Sequence, residues 1–251
     1  MSRRRVKPTD PSRWVFNRLA ADYRARPGYP AALAERLLAI AGGPGARVAD
    51  LGAGTGQLAI PLARLGARVD AVEPARAMLD VLAEDARGIA VTPVHAAAEA
   101  TGLPAGACDL VLLADAAQWV DPELAGREIA RLLAPAGVLA IVEPRLGDTP
   151  FLRALSSLLE AANPKARRVA PPAGLVLSVA GLGAPAEERF RDEVALEPAR
   201  LDAVLRSLSY VGPALGPGKL ASLLADARAL AARHGGAIWT REILLRWTRR
   251  R

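Results

Sequence analysis

Five residues near the start of the chain have types and spacing suited to ligand chemistry: Asp50, Gly52, Gly54, Gly56 and Glu73, within VADLGAGTGQLAIPLARLGARVDAVEP (Val48–Pro74). A G-x-G-x-G turn allows tight bending and close backbone approach to a ligand. The dinucleotide fingerprint G-x-G-x-x-G puts its third glycine one place further on, where this chain has Gln57. Asp50, just ahead of the turn, would repel a pyrophosphate. It suits an ammonium, which a carboxylate holds by charge-assisted hydrogen bonds. Glu73 follows Gly56 by 17 residues. A carboxylate there can accept hydrogen bonds from both hydroxyls of a ribose. The ligand expected is one with a ribose, a cationic group and no need of a phosphate cradle. S-adenosylmethionine meets all three conditions.

These residues need elements to hold them. Short runs rich in Val, Leu and Ile at Arg47–Leu51, Arg68–Val72, Ala90–His95, Asp109–Ala114 and Val138–Glu143 read as buried parallel strands. Helical patterns lie between them at Gln57–Leu65, Ala75–Ala86 and Pro122–Leu133, the first interrupted by Pro61. The alternation predicts an α/β, doubly wound sheet. Ahead of it, FNRLAADYRARPGYPAALAERLLAIA reads as two helices broken at Arg26-Pro27-Gly28. Behind it, prolines recur at 144, 150, 164, 171, 172 and 185 around one helical pattern, Phe151–Ala162. The tail returns to a strand (Arg189–Leu196), two helices (Ala199–Ser209 and Leu220–His234) and a last strand (Ala237–Trp247). The expectation is a single domain over 1–251, with a helical cover at 1–41 and an inserted cap at 144–187.

The chain is 51% hydrophobic and 24% charged, which suits a large packed core. The net charge of +7 invites a nucleic-acid reading. But Arg3, Arg4, Arg5, Lys7 and Arg249–Arg251 equal the whole excess, so the body between them is balanced. They read as frayed, solvated ends, and no nucleic-acid partner is expected. No apolar run reaches the roughly 18 residues of a membrane span. The start, MSRRRVKPTD, has no apolar stretch and does not read as a secretory signal. Cys108 is the only cysteine and reads as a buried strand residue; a reduced, cytoplasmic setting is expected.

The stretch VADLGAGTGQLA…VDAVEPARAMLDVL resembles motif I and the following acidic strand end of class I S-adenosylmethionine-dependent methyltransferases. FNRLAADYRARPGYP is similar to that family's N-terminal helix, and AAAEATGLPAGACDLVLLADAAQWVDPELAGREIARLLAPAGVLAIVEP to its adenine pocket, fourth strand and substrate-side loop. The similarity spans roughly residues 14 to 143. It implies a Rossmann-like, mostly parallel seven-stranded sheet. It also implies that S-adenosyl-L-methionine is bound by Asp50, Gly52, Ala53, Gly54, Gly56, Glu73, Pro74, Ala97, Ala98, Glu99 and Ala114. Tyr23 and Arg26 match the aromatic and basic residues that close over the methionine end. Tyr29, Gln118 and Trp119 fall on the substrate side.

Two departures stand out. Ala97 replaces an acid that many relatives use for the adenine amino group, leaving backbone groups around Ala98 and Glu99. Gln118 replaces the histidine that often precedes the tryptophan, so no histidine base is available there. Asp115 is the polar group that the resemblance puts beside the acceptor, as a proton acceptor, an orienting group or simply a turn acid. His95 and His234 are expected to be structural, and Trp14 and Phe16 to pack an amphipathic helix. The function implied is methylation of a small organic acceptor at oxygen or nitrogen, with natural-product intermediates as candidates. The competing readings are an RNA or protein methyltransferase that uses the arginine-rich ends, and a non-catalytic S-adenosylmethionine-binding regulator.

Overall fold

The computed structural model describes residues 15–164, 173–179 and 181–250. The basic residues at 3–7, Trp14 and Arg251 lie outside the described residues. The sheet runs β3-β2-β1-β4-β5-β7-β6. Its strands are β1 (Arg47–Leu51), β2 (Arg68–Val72), β3 (Val91–Val94), β4 (Cys108–Ala114), β5 (Leu133–Leu146), β6 (Ala186–Leu196) and β7 (Ala237–Arg249). The first five pair in parallel; β7 pairs antiparallel with both β5 and β6. The fold is α/β, Rossmann-like and mostly parallel, as the alternation of strand and helix patterns predicts.

Alternating strand residues feed two apolar layers, as the period of two demands. Val48, Leu110, Leu112, Val138 and Ala140 pack with α2 (Ala31–Ala41) and α3 (Ala59–Arg64). Ala49, Val111, Leu113, Leu139 and Ile141 pack on the other face with α5 (Pro122–Leu132) and α7 (Ala173–Val179). A third core is built by α6 (Pro150–Ala162), α8 (Pro198–Arg206) and α9 (Pro217–Arg233) around Trp239 at the start of β7. α1 (Val15–Tyr23) lies on α4 (Arg76–Asp85) through Leu19, Ala20, Ala75 and Met78.

Several elements differ from the sequence pattern. α3 begins at Ala59, two residues later than expected. Pro61 then sits in the first turn, where its missing N–H has no intrahelical acceptor to lose. β5 is longer than Val138–Glu143 at both ends, and β7 supports its far end by pairing Leu146 with Arg241. The two described helices within 144–187 pack apart: α6 joins the third core, whereas Val176 and Leu177 of α7 pack beside α5. Arg249 and Arg250 are not frayed. Arg249 donates to Ala136 O and Ile40 O, and Arg250 to Ala130 O and Leu133 O. Among the described residues no helix is long and apolar enough to cross a membrane.

Candidate active site

The glycine loop leaves the carboxyl end of β1, between β2 and β4, where open α/β sheets bind ligands. Gly52, Gly54 and Gly56 have φ of 79°, 56° and 86°, a region side chains rarely adopt. A Cβ on Gly52 would stand 2.7 Å from the Ala116 Cβ, so the loop touches the segment after β4. Glu73, at the end of β2, ties the loop down. Its Oε2 accepts from the Gly54 amide at 3.0 Å and its Oε1 from the Ala75 amide at 2.9 Å. Asp50 is buried, and its Oδ1 has no hydrogen-bond partner. Burial, and secondarily the like charge of Glu73, push its carboxyl up to about 7, against a hydrogen bond from the Ala59 backbone. A buried carboxyl with one unpartnered oxygen, on a residue that lines the larger cavity, fits a cationic ligand group.

Two cavities meet at this loop. The smaller, about 70 Å³, is bounded by Gly52, Gly54, Glu73, Pro74, Ala98, Glu99 and Ala114, with Phe16, Tyr23, Asp115 and Trp119. Met78 and Val120 add apolar walls, which suit an apolar ring face. The chain beside it is fixed by a bridge between Ala97 and Ala100. Glu99 Oε1 accepts the Asp121 amide at 2.8 Å. Glu128 Oε1 accepts both the amide and the hydroxyl of Thr101, at 2.9 and 2.6 Å, and Glu128 is paired with Arg131. The Arg131 pair and the two Thr101 bonds hold the Glu128 carboxyl down at about 2, despite some burial.

The larger cavity, about 890 Å³, takes in Asp50, Gly52, Ala53 and Gly54 and opens toward Tyr29, Gln118, Trp119 and the third core. Arg26 lies over the Tyr23 ring at 4.1 Å and 3.7 Å from Asp115 Oδ2. Asp115 follows β4 with φ 51°, a left-handed conformation that aspartate tolerates better than most side chains. Gln118 Nε2 donates to its carbonyl at 2.9 Å and to its Oδ1 at 3.1 Å. Burial raises the Asp115 carboxyl, opposed by Arg26, Gln118 and Arg241. Phe16 stands edge-on to Trp119 at 5.1 Å and lines both cavities, so it does more than pack its helix.

Of the residues singled out in the sequence, Gly56 and Ala97 lie off both cavities. A Cβ on Gly56 would come within 3.1 Å of Ile60 and Leu82, which makes close packing its local constraint. Ala97 holds the bridge that presents Ala98. His95 reaches only the Pro74 carbonyl, at 3.1 Å, and His234 caps α9 near the Phe151 ring. Cys108 is buried at the start of β4. Sequence reasoning missed the far wall of the large cavity: Arg145, Arg153, Ser156, Tyr210, Trp239 and Arg241. Arg241 is buried, ion-paired with Asp192, and bound to the carbonyls of Pro27 and Gly28. A polar residue amid the apolar alternation of β7 was its one sequence signal.

A family profile described as a methyltransferase domain matches residues 49–141. An uncharacterised methyltransferase of Mycobacterium tuberculosis is 42% identical over 132 residues, 49% of this chain and 51% of that protein. The chain thus spans about half the length of that relative. A malonyl-[acyl-carrier protein] O-methyltransferase of Geobacter sulfurreducens is 32% identical over 246 residues, 89% of this chain and 91% of that protein. Among solved structures, a provisionally assigned type II methyltransferase from Anaeromyxobacter dehalogenans superposes with a TM-score of 0.67 at 25% identity, over 89% of this chain and 97% of that one.

Proposed function

The chain belongs to the class I S-adenosylmethionine-dependent methyltransferases, and from that premise we propose that it methylates a small organic acceptor, at oxygen or nitrogen, in the large cavity. The observation that carries the reading is the continuity of this cavity, from Asp50, a buried carboxyl with one unpartnered oxygen, to the wall beyond Asp115. When bound, S-adenosylmethionine supplies a methyl carbon already activated by a sulfonium. What this chain's residues add is position, exclusion of water and the handling of one proton.

In this reading Asp50 takes the cofactor's ammonium and Glu73 its ribose hydroxyls. The ring lies between Pro74, Ala98 and Glu99. Gly52, Ala53, Gly54 and Ala114 bring backbone close, while Tyr23 and Arg26 close over the methionine end. Tyr29, Gln118 and Trp119 wall the acceptor. Alignment of this kind can supply about 7–11 kcal/mol of the barrier. Asp115 orients the nucleophile or accepts its proton, and its raised carboxyl suits the second role.

The Geobacter relative is named for O-methylation of malonyl-[acyl-carrier protein], which adds malonyl compounds to the acceptor types worth offering. A cytoplasmic setting, in keeping with a lone buried thiol, and a role in natural-product metabolism are part of the same proposal. The engagement of Arg249 and Arg250 with backbone carbonyls argues against a nucleic-acid substrate held by the C-terminal arginines. The test has two stages. Calorimetry should show binding of S-adenosylhomocysteine and not NAD. Labelled S-adenosylmethionine, incubated with the protein and a panel of small acids, amines, phenols and malonyl thioesters, should then label one product class. Tighter binding of NAD than of S-adenosylhomocysteine would overturn the cofactor assignment. Cofactor binding with no acceptor labelled in cell extracts would favour a regulator.

A further inference from the structure

Arg26 is held from behind as well as stacked in front. Its Nε donates to Ser207 Oγ at 2.8 Å and its Nη2 to the Ser207 carbonyl at 2.9 Å. Ser207 Oγ donates its only proton to Val204 O at 2.6 Å, so the hydroxyl oxygen faces the guanidinium as an acceptor. Two acceptors on one residue fix the plane of the guanidinium fork. That leaves Nη1 pointing forward, 3.3 Å from Tyr23 OH and 3.7 Å from Asp115 Oδ2. Ser207 is the C-cap of α8, and the end of a helix dipole favours a cation. The anchor is firm, because Leu201, Val204 and Leu205 of α8 are buried in the third core. Ser207 itself is fully buried and lines neither cavity.

We propose that Ser207 is a positioning residue for methyl transfer: it aims the Arg26 cation at Asp115 and thereby keeps that carboxylate charged beside the acceptor. This rests on the reading of Asp115 as the acceptor-side proton group. The groups facing Asp115 are Arg26 from the turn after α1, Arg241 from β7, the Gln118 amide, and Tyr23 and Tyr29. Asp50 acts on Tyr29 from β1, and Glu73 on Tyr23 from the end of β2. Of the two cations, only Arg26 depends on Ser207; Arg241 is secured by Asp192. Removing the Ser207 hydroxyl frees the guanidinium to tilt, and Asp115 then holds its proton to higher pH.

The experiment is a carbon-13 NMR titration of the Asp115 carboxyl in the S-adenosylhomocysteine complex, its resonance assigned by loss in Asp115→Asn. Ser207→Ala should shift the titration upward, and Ser207→Thr, which keeps the hydroxyl, should restore it. Arg206→Ala is the control. It removes the neighbouring contact between α8 and α1, from Arg206 Nε to Asp22 Oδ1 at 2.9 Å, without touching Arg26. Its titration should match the wild type. If Ser207→Ala does not fold, Ser207→Cys fills the same space with a weak acceptor and should give the upward shift. An unshifted titration in the folded Ala or Cys variant overturns the proposal. So does an equal shift in Arg206→Ala, which would mean general loosening. The titration needs no turnover, so a failure of Asp115 in catalysis would leave this result interpretable.

Discussion

Glu73 and Gly54 are joined by a 3.0 Å hydrogen bond from the loop amide to the carboxylate, while the other Glu73 oxygen takes the Ala75 amide. The acid proposed to hold the ribose therefore also shapes the loop that approaches it. Glu73→Ala removes a charged acceptor, and a hydrogen bond to a charged group is worth about 1.5–3 kcal/mol. The expected loss of S-adenosylhomocysteine affinity is roughly tenfold to hundredfold. Titration calorimetry on the folded variant checks it, and an unchanged dissociation constant would remove Glu73 from the ribose site.

Asp50 gives the binding reaction a pH dependence. Its carboxyl sits at about 7 because it is buried near Glu73. A bound ammonium favours the ionised form, so affinity should rise as pH rises through about 7, with a proton released below it. Without ligand the sign reverses. The folded state holds a proton that the unfolded chain gives up near 3.8, so Asp50's contribution to stability falls across that window as pH rises. Calorimetry in buffers of different ionisation heat measures the proton. Asp50→Asn should abolish the release, and a flat affinity across the window in the wild type would contradict the assignment.

Asp115→Asn separates proton transfer from alignment. The left-handed backbone at Asp115 suits asparagine, so the loop should keep its form. Loss of a general base costs roughly 10²–10⁴ in rate. Turnover should fall with cofactor affinity nearly unchanged. Single-turnover rates on the identified acceptor decide the matter, and equal rates would leave alignment and desolvation as the catalytic account.

Glu128 should show in acid. Arg131 and Thr101 hold its carboxyl at about 2, below its ordinary 4.5. Its stabilising contribution is then fully present above 4.5 and lost as pH falls toward 2. Glu128→Gln should weaken the acid dependence of the melting temperature in that window. It should also loosen the loop that presents Ala98. Scanning calorimetry of both proteins across the window tests this; parallel curves would argue against it.

The parallel half of the sheet was readable because its strands are short runs of Val, Leu and Ile, buried on both faces. The position of Asp50 and Glu73 beside the cavities was readable because they flank glycines between two strands. The far wall was not. Ser207 reads as an ordinary helix-end serine, and Arg241 as an arginine in an alternating strand. Their significance comes from contacts 181 and 214 residues away, with Arg26 and Pro27. α7 escaped notice because AGLVLSV is a seven-residue apolar run among prolines, without a full helical period to recognise. Its partner α5 decides its conformation.

The position of β7 has a consequence for how the chain is made. It is the last strand in sequence yet lies between β5 and β6. On the ribosome, the five parallel strands and the glycine loop can assemble before β7 has been synthesised. β6, however, has no neighbour to pair with until residues 237–249 emerge. Arg241 arrives with them and only then secures the Pro27 and Gly28 carbonyls beside Tyr23 and Arg26. Such long-range closure is slow. A newly made molecule thus acquires its loop early and its cover last, and nascent chains stalled before β7 would expose a lone strand edge instead of a closed site.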